Sequence, residues 1–134
     1  MPGMTDDAHM LAYSAILLWL MIIVAAYIRA GGSLVMMFSN RDALPPETPL
    51  AGRADRAAKN MIENMVLFTA IWVATRGVYG AADNWKVLRG AQIFFAARVV
   101  YWPLYLAGVK VVRTTVWFVG FVGIAMMAVA VLQV

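Results

Sequence analysis

The sequence predicts an all-helical integral membrane protein built as a bundle of four spanning helices, and three observations carry that expectation. Of its 134 residues, 63% are hydrophobic and 13% charged. The mean hydropathy is +0.76, too apolar for a soluble domain whose surface must be covered by polar side chains. Four apolar stretches each approach the roughly 20 residues that a helix needs to cross about 30 Å of hydrocarbon. The charges between the stretches are distributed unequally. Arg29, Arg41, Arg53, Arg56, Lys59, Lys110 and Arg113 lie around the first and third connections, against Arg76, Lys86 and Arg89 around the second.

Helix one is expected over about residues 10–39. The apolar run continues through GGSLVMMFS, and the first clear loop signal is NRDALPPETPLAG, with its prolines and turn formers. Such a helix would be long or tilted. Helix two is expected over about 57–76, helix three over about 87–107 and helix four over about 114–133, in one domain covering 1–134. Pro103 removes a backbone hydrogen bond in helix three, so a kink is expected there. In helix four, Gly120, Gly123 and Ala125 permit close helix approach, and the methionines fill irregular gaps.

The N-terminus MPGMTDDAH lacks the basic region of a signal peptide, so helix one is expected to be retained. The charge bias puts connections one and three in the cytoplasm and both termini outside, with Tyr79 and Trp85 as outer interfacial anchors. The net charge of +4 is the ordinary consequence of that bias. No RNA-binding motif accompanies it, so no nucleic-acid partner is expected. Cysteine is absent and histidine occurs once, as His9, read as a solvated tail residue. A protein thiol nucleophile, disulfides, Cys/His zinc sites and a histidine triad are therefore excluded, and no metal is expected.

What remains is polar side chains inside apolar helices, where placement is costly. At about 100° per residue, Arg56, Asn60 and Glu63 fall near 0°, 40° and −20° and form one stripe along helix two, with Lys59 and Asn64 to either side. In AQIFFAARVVYWPLYLAG, residues Arg98, Tyr101 and Tyr105 share a face of helix three in the same way. A plain structural reading pairs Glu63 with Arg56 or Arg98 and uses the tyrosine hydroxyls between helices. Yet Glu63 is the one acidic residue inside the four expected spans, while each arginine carries several N–H donors. An anionic or zwitterionic guest would complete the balance.

The string Arg56-Ala57-Ala58-Lys59-Asn60-Met61-Ile62-Glu63, an R-A-x-x-N-x-x-E pattern opening a second membrane helix, resembles the membrane-associated proteins in eicosanoid and glutathione metabolism, the MAPEG family. ARVVYWPLYLAGVKVVRTTVW on helix three is similar to the family's second signature, an arginine and two tyrosines followed by an arginine in the next connection. NRD before the proline-rich loop resembles bacterial members. The resemblance covers nearly the whole chain. Asn64, Ala58 and the spacing of Arg113 from Tyr105 depart from some members.

The resemblance implies a homotrimer of four-helix subunits, with glutathione held as cosubstrate at each subunit interface, near the cytoplasmic side of a bacterial inner membrane. Arg56 and Asn60 match the family's contacts to the glutamyl end of glutathione, and Glu63 matches the acceptor for its ammonium. Tyr101 and Tyr105 match the helix-three ligands, Arg98 a supporting arginine, and Arg113 the catalytic arginine by the thiol. Arg29 or Arg41 is the partner for the glycyl carboxylate, and Thr114 stands in for a serine that follows the catalytic arginine. The implied activity is that of a glutathione transferase or peroxidase acting on a lipophilic small molecule presented from the bilayer between helices one and four. The alternative is a non-catalytic trimer that binds another anion or a lipid headgroup, or that serves as a partner subunit.

Overall fold

A computed structural model describes residues 6–80 and 82–134, with residue 6 described for its backbone alone. The first five residues of the expected polar tail lie outside the described residues. Within them the chain is all helical. Its elements are α1 (Asp6–Arg29), the short α2 (Leu34–Met37), α3 (Pro49–Tyr79), α4 (Trp85–Leu106) and α5 (Val111–Leu132). Two of these, α1 from Asp7 and α5, are long and apolar enough to cross a membrane, each with a mean hydropathy of 2.3.

Local chemistry sets the ends. Thr48 caps α3 by accepting from the Ala51 N–H at 3.1 Å, with Pro49 in the first turn where a missing N–H costs nothing. Helix two therefore begins well before residue 57. Asn84 caps α4 through the Lys86 and Val87 N–H groups. The expectation of helix through Ser39 is corrected. Gly31 and Gly32 adopt φ of 68° and 79°, a left-handed conformation that ends an α-helix, and Ser33 starts the separate α2. Apolar composition alone concealed that break. α4 runs through Pro103 to Leu106.

The inner face of α3 follows helical spacing through Ala54, Ala57, Ala58, Met61, Met65 and Phe68, all buried. Small residues bring the backbones together, and Met21, Met61 and Met127, each at most 1% exposed, fill the space between them. Phe68 and Phe94 meet at 4.6 Å between ring centroids. The outer surface is apolar, with Ile16, Trp19, Val66, Val73, Phe118 and Val122 among its exposed residues. Tyr79 does more than anchor an interface, since its hydroxyl donates to the Ala130 carbonyl at 2.6 Å and ties α3 to α5. Trp85 is exposed.

The α4–α5 crossing depends on Gly123 and on Gly90, which sequence reading did not single out. A Cβ on Gly123 would sit 2.5 Å from the Gly90 oxygen and 2.9 Å from the Phe94 nitrogen, both backbone atoms that cannot step aside. Gly120 is less tight, its added Cβ meeting the Ala97 Cβ at 3.4 Å, and Ala125 is half-buried. Gly123→Val is expected to destabilise the protein by about 1–3 kcal/mol or more through overpacking, read by thermal unfolding in detergent. Gly77→Ala, where a Cβ meets nothing within 4 Å, should leave stability level or slightly raised.

The N-terminal end of α1 corrects the reading of a solvated tail. Asp7 is buried, and its Oδ2 accepts from Arg76 Nη2 at 2.8 Å and from Trp72 Nε1 at 3.1 Å. His9 lies within α1, half-buried, with its ring 6.1 Å from that of Tyr13. Glu63 is therefore not the one acidic residue within the long helices.

Candidate functional site

The polar faces of α3 and α4 meet at Arg98, which is 1% exposed. Its Nη2 donates to Asn60 Oδ1 at 2.6 Å, its Nε points at Met61 Sδ at 3.3 Å, and its Cζ lies 4.2 Å from the Tyr101 ring centroid. Behind Asn60 lies Asn64, whose Nδ2 donates to the Asn60 backbone carbonyl at 2.8 Å and reaches its Oδ1 at 3.4 Å. A buried guanidinium must have its donors engaged. Here an amide, a thioether and a π face engage it, and among the described residues no carboxylate lies within ion-pair distance.

Next along α4, the Tyr101 and Tyr105 rings are 5.5 Å apart and edge to face. Arg113, in the first turn of α5, places its Cζ 4.3 Å from the Tyr105 centroid. Cation–π attraction across the turn holds the guanidinium beside the ring. Asn60, Tyr101, Tyr105, Arg113, Thr114 and Trp117 line one cleft of about 260 Å³. Trp117 was not foreseen, although it stands one helical turn after Arg113 and the 3.6-residue period places both on one face.

The remaining candidates lie elsewhere around α3. Arg56 and Glu63 are exposed. Among the described residues the ion pairs are Lys59 with Asp55 at 2.8 Å and Arg76 with Asp7 at 2.8 Å, so Glu63 pairs with neither Arg56 nor Arg98. The plain structural reading of Glu63 is thereby removed within one chain. Arg29 and Arg41 line a second cleft of about 440 Å³ on the far flank of α3, together with Glu47, Asp55 and Lys59. Arg29 also donates to the Pro45 carbonyl at 2.7 Å, and Arg41 Nε donates to the Met37 carbonyl at 3.1 Å.

The order around the α3 axis follows from the helical angle. Taking Arg56 as zero, Asn60 lies at about +40°, Glu63 at about −20°, Lys59 at about −60° and Asp55 at about −100°. Arg56 and Glu63 form an exposed charged ridge between two clefts, and each cleft holds part of the expected site. Among the described residues no group of three or more His, Cys, Asp or Glu side chains could hold a metal ion.

The model of the MAPEG family matches residues 8–133. This chain belongs to the MAPEG family. Its members are membrane proteins in glutathione and eicosanoid metabolism, which accounts for the apolar outer surface. A search among curated proteins finds no match. Family membership also gives the two signature strings a common context, since the residues of both lie within the matched range.

Proposed function

We propose that this MAPEG protein is a glutathione-dependent membrane transferase or peroxidase, working as a homotrimer of four-span subunits. The observation that carries the reading is Arg113. Among the described residues it has no carboxylate partner, and it stands beside Tyr105 at a cleft that also holds Asn60, Tyr101 and Thr114. It also stands near the N-terminus of α5 (22 residues), whose dipole favours an anion there. A chain without cysteine can perform thiol chemistry when the thiol arrives as substrate.

Binding glutathione beside Arg113 would lower the thiol pKa from about 8.5 towards neutrality, and the guanidinium supplies this field without losing its own proton. The released proton goes to water. The thiolate then attacks an electrophilic carbon, the C–S bond forms, and a leaving group such as chloride departs with its bonding pair. With a hydroperoxide, the thiolate attacks the distal oxygen, the O–O bond breaks and an alcohol leaves. The sulfenate takes back a proton from water, and the thiol of a second glutathione attacks the sulfenic sulfur to give the disulfide with release of water. No other reductant is needed.

The ridge supports an assembled state. Arg56 and Glu63 on an exposed face at membrane depth are costly against lipid, and a neighbouring subunit would cover them. The cleft with Asn60 and Arg113 on one subunit would then face the cleft with Arg29 and Arg41 on the next. Glutathione would span the junction, its ammonium at Glu63 and its glycyl carboxylate at Arg29 or Arg41. Arg98 serves here as a support that holds Asn60. At 1.5 Å per residue, α4 is about 33 Å long, enough to cross the hydrocarbon, as is α3. The charge bias supports an orientation with both termini outside and the glutathione site facing the cytoplasm, which in a bacterial inner membrane would put the termini in the periplasm.

Titration calorimetry of the detergent-solubilised protein with glutathione tests the reading directly. Glu63→Gln should weaken glutathione binding more than a few-fold, while the particle mass stays at three subunits. Unchanged affinity with reduced thermal stability would return Glu63 to a purely structural role, and a monomer across several mild detergents would count against the shared site.

A further inference from the structure

We propose that Arg53 is a positioning residue that sets the place of Arg113, an inference that rests on the thiolate-stabilising role given to Arg113 above. The turn between α4 and α5 is closed by three backbone hydrogen bonds. Ala107 donates to the Pro103 carbonyl, Gly108 to Tyr105 at 3.0 Å and Val109 to Leu104 at 3.1 Å. This is a Schellman closure with Gly108 at φ 78°. The Leu106 carbonyl takes no part in that closure, and Arg53 Nε donates to it at 2.8 Å from 53 residues away in the sequence.

The same side chain packs over the turn. A Cβ built on Gly108 would be 3.8 Å from Arg53 Cδ, Nε and Cζ, so the guanidinium lies against the glycine. α5 starts without the side-chain cap that Thr48 and Asn84 give α3 and α4, since Lys110 at its N-cap makes no side-chain cap hydrogen bond. Lys110 and Arg113 also place positive charge at the positive end of the helix dipole, which works against local order. The first turn of α5 therefore takes its position from the turn before it. Arg53 grips that turn between Tyr105 and Arg113, whose 4.3 Å cation–π contact forms the thiol end of the cleft.

The test replaces the donor and keeps the stem. Arg53→Met should leave glutathione affinity within a few-fold. The acid limb of the pH profile for conjugation should move to higher pH, and turnover at neutral pH should fall roughly 10- to 100-fold, as small misplacements of a reacting group do. Arg53→Lys should recover part of both. Amide hydrogen exchange in Arg53→Met should rise at residues 107–114 with little change in α3. If Arg53→Met only lowers the unfolding temperature, with pH profile and turnover per folded molecule intact, Arg53 is a structural staple and the inference is overturned. A wild-type protein that binds no glutathione, or binds it without forming a thiolate, overturns the reading of Arg113 itself and this inference with it.

Discussion

Arg113→Ala is expected to lower turnover with glutathione by about 10²–10³-fold, the usual effect of removing one preorganised donor from a developing or resting charge. Glutathione affinity should remain largely intact, since Arg56, Asn60, Glu63, Tyr101 and Tyr105 would still hold the peptide. Arg113 sits beside the Tyr105 ring and, among the described residues, engages no carboxylate, so its removal should orphan no charged partner and the fold should persist. The ultraviolet absorbance of bound thiolate should vanish at neutral pH. Arg113→Lys should restore part of the rate, because an ammonium supplies charge but lacks the planar fork that lies flat on an aromatic ring. Conjugation to chlorodinitrobenzene, measured alongside calorimetry, separates these effects. Full activity in Arg113→Ala would remove this residue from the mechanism.

The second large effect is on stability. Asp7→Ala is expected to destabilise the folded protein by about 3 kcal/mol, at the low end for breaking a buried ion pair. The carboxylate is the shared acceptor for Arg76 and the Trp72 indole. Arg76 already has a buried Nε with no partner among the described residues, so losing Asp7 leaves that guanidinium with little compensation beyond its 5.4 Å contact with the Trp72 ring. Asp7→Ala with Arg76→Gln should recover part of the loss, since no uncompensated charge then remains. Asn60 and Arg76 are about 24 Å apart along α3, so glutathione affinity should be unaffected in whatever fraction stays folded. Equal stability of Asp7→Ala and wild type in thermal unfolding would show that water or lipid headgroups already solvate Arg76.

The helix-three face was legible because periodicity is a local property. Arg98, Tyr101 and Tyr105 are spaced by three and four residues, and the structure stacks them in that order. The stripe on α3 was legible as a stripe, but its division was not. Asn60 turns inward to Arg98 while Arg56 and Glu63 remain exposed, and that outcome depends on where α4 packs. Asp7 was hidden by its polar neighbours, and the break at Gly31 and Gly32 by the apolar residues on both sides.

The amino-acid order by itself determined that the chain forms long apolar helices, that polar side chains align along two of them, and that the strings around Asn60 and Tyr101 carry the marks of the MAPEG family. These depend on spacing of a few residues, which the geometry of a single helix converts into a face. The tertiary structure alone decided which groups on those faces meet. It gave Arg98 to Asn60, Arg76 to Asp7 and Arg53 to the Leu106 carbonyl. It also left Glu63 without an ion-pair partner among the described residues and put Arg29 and Arg113 at different clefts. Such partners lie tens of residues apart, and their meeting depends on helix crossings set by glycine contacts and core side-chain volumes. No local period encodes that choice.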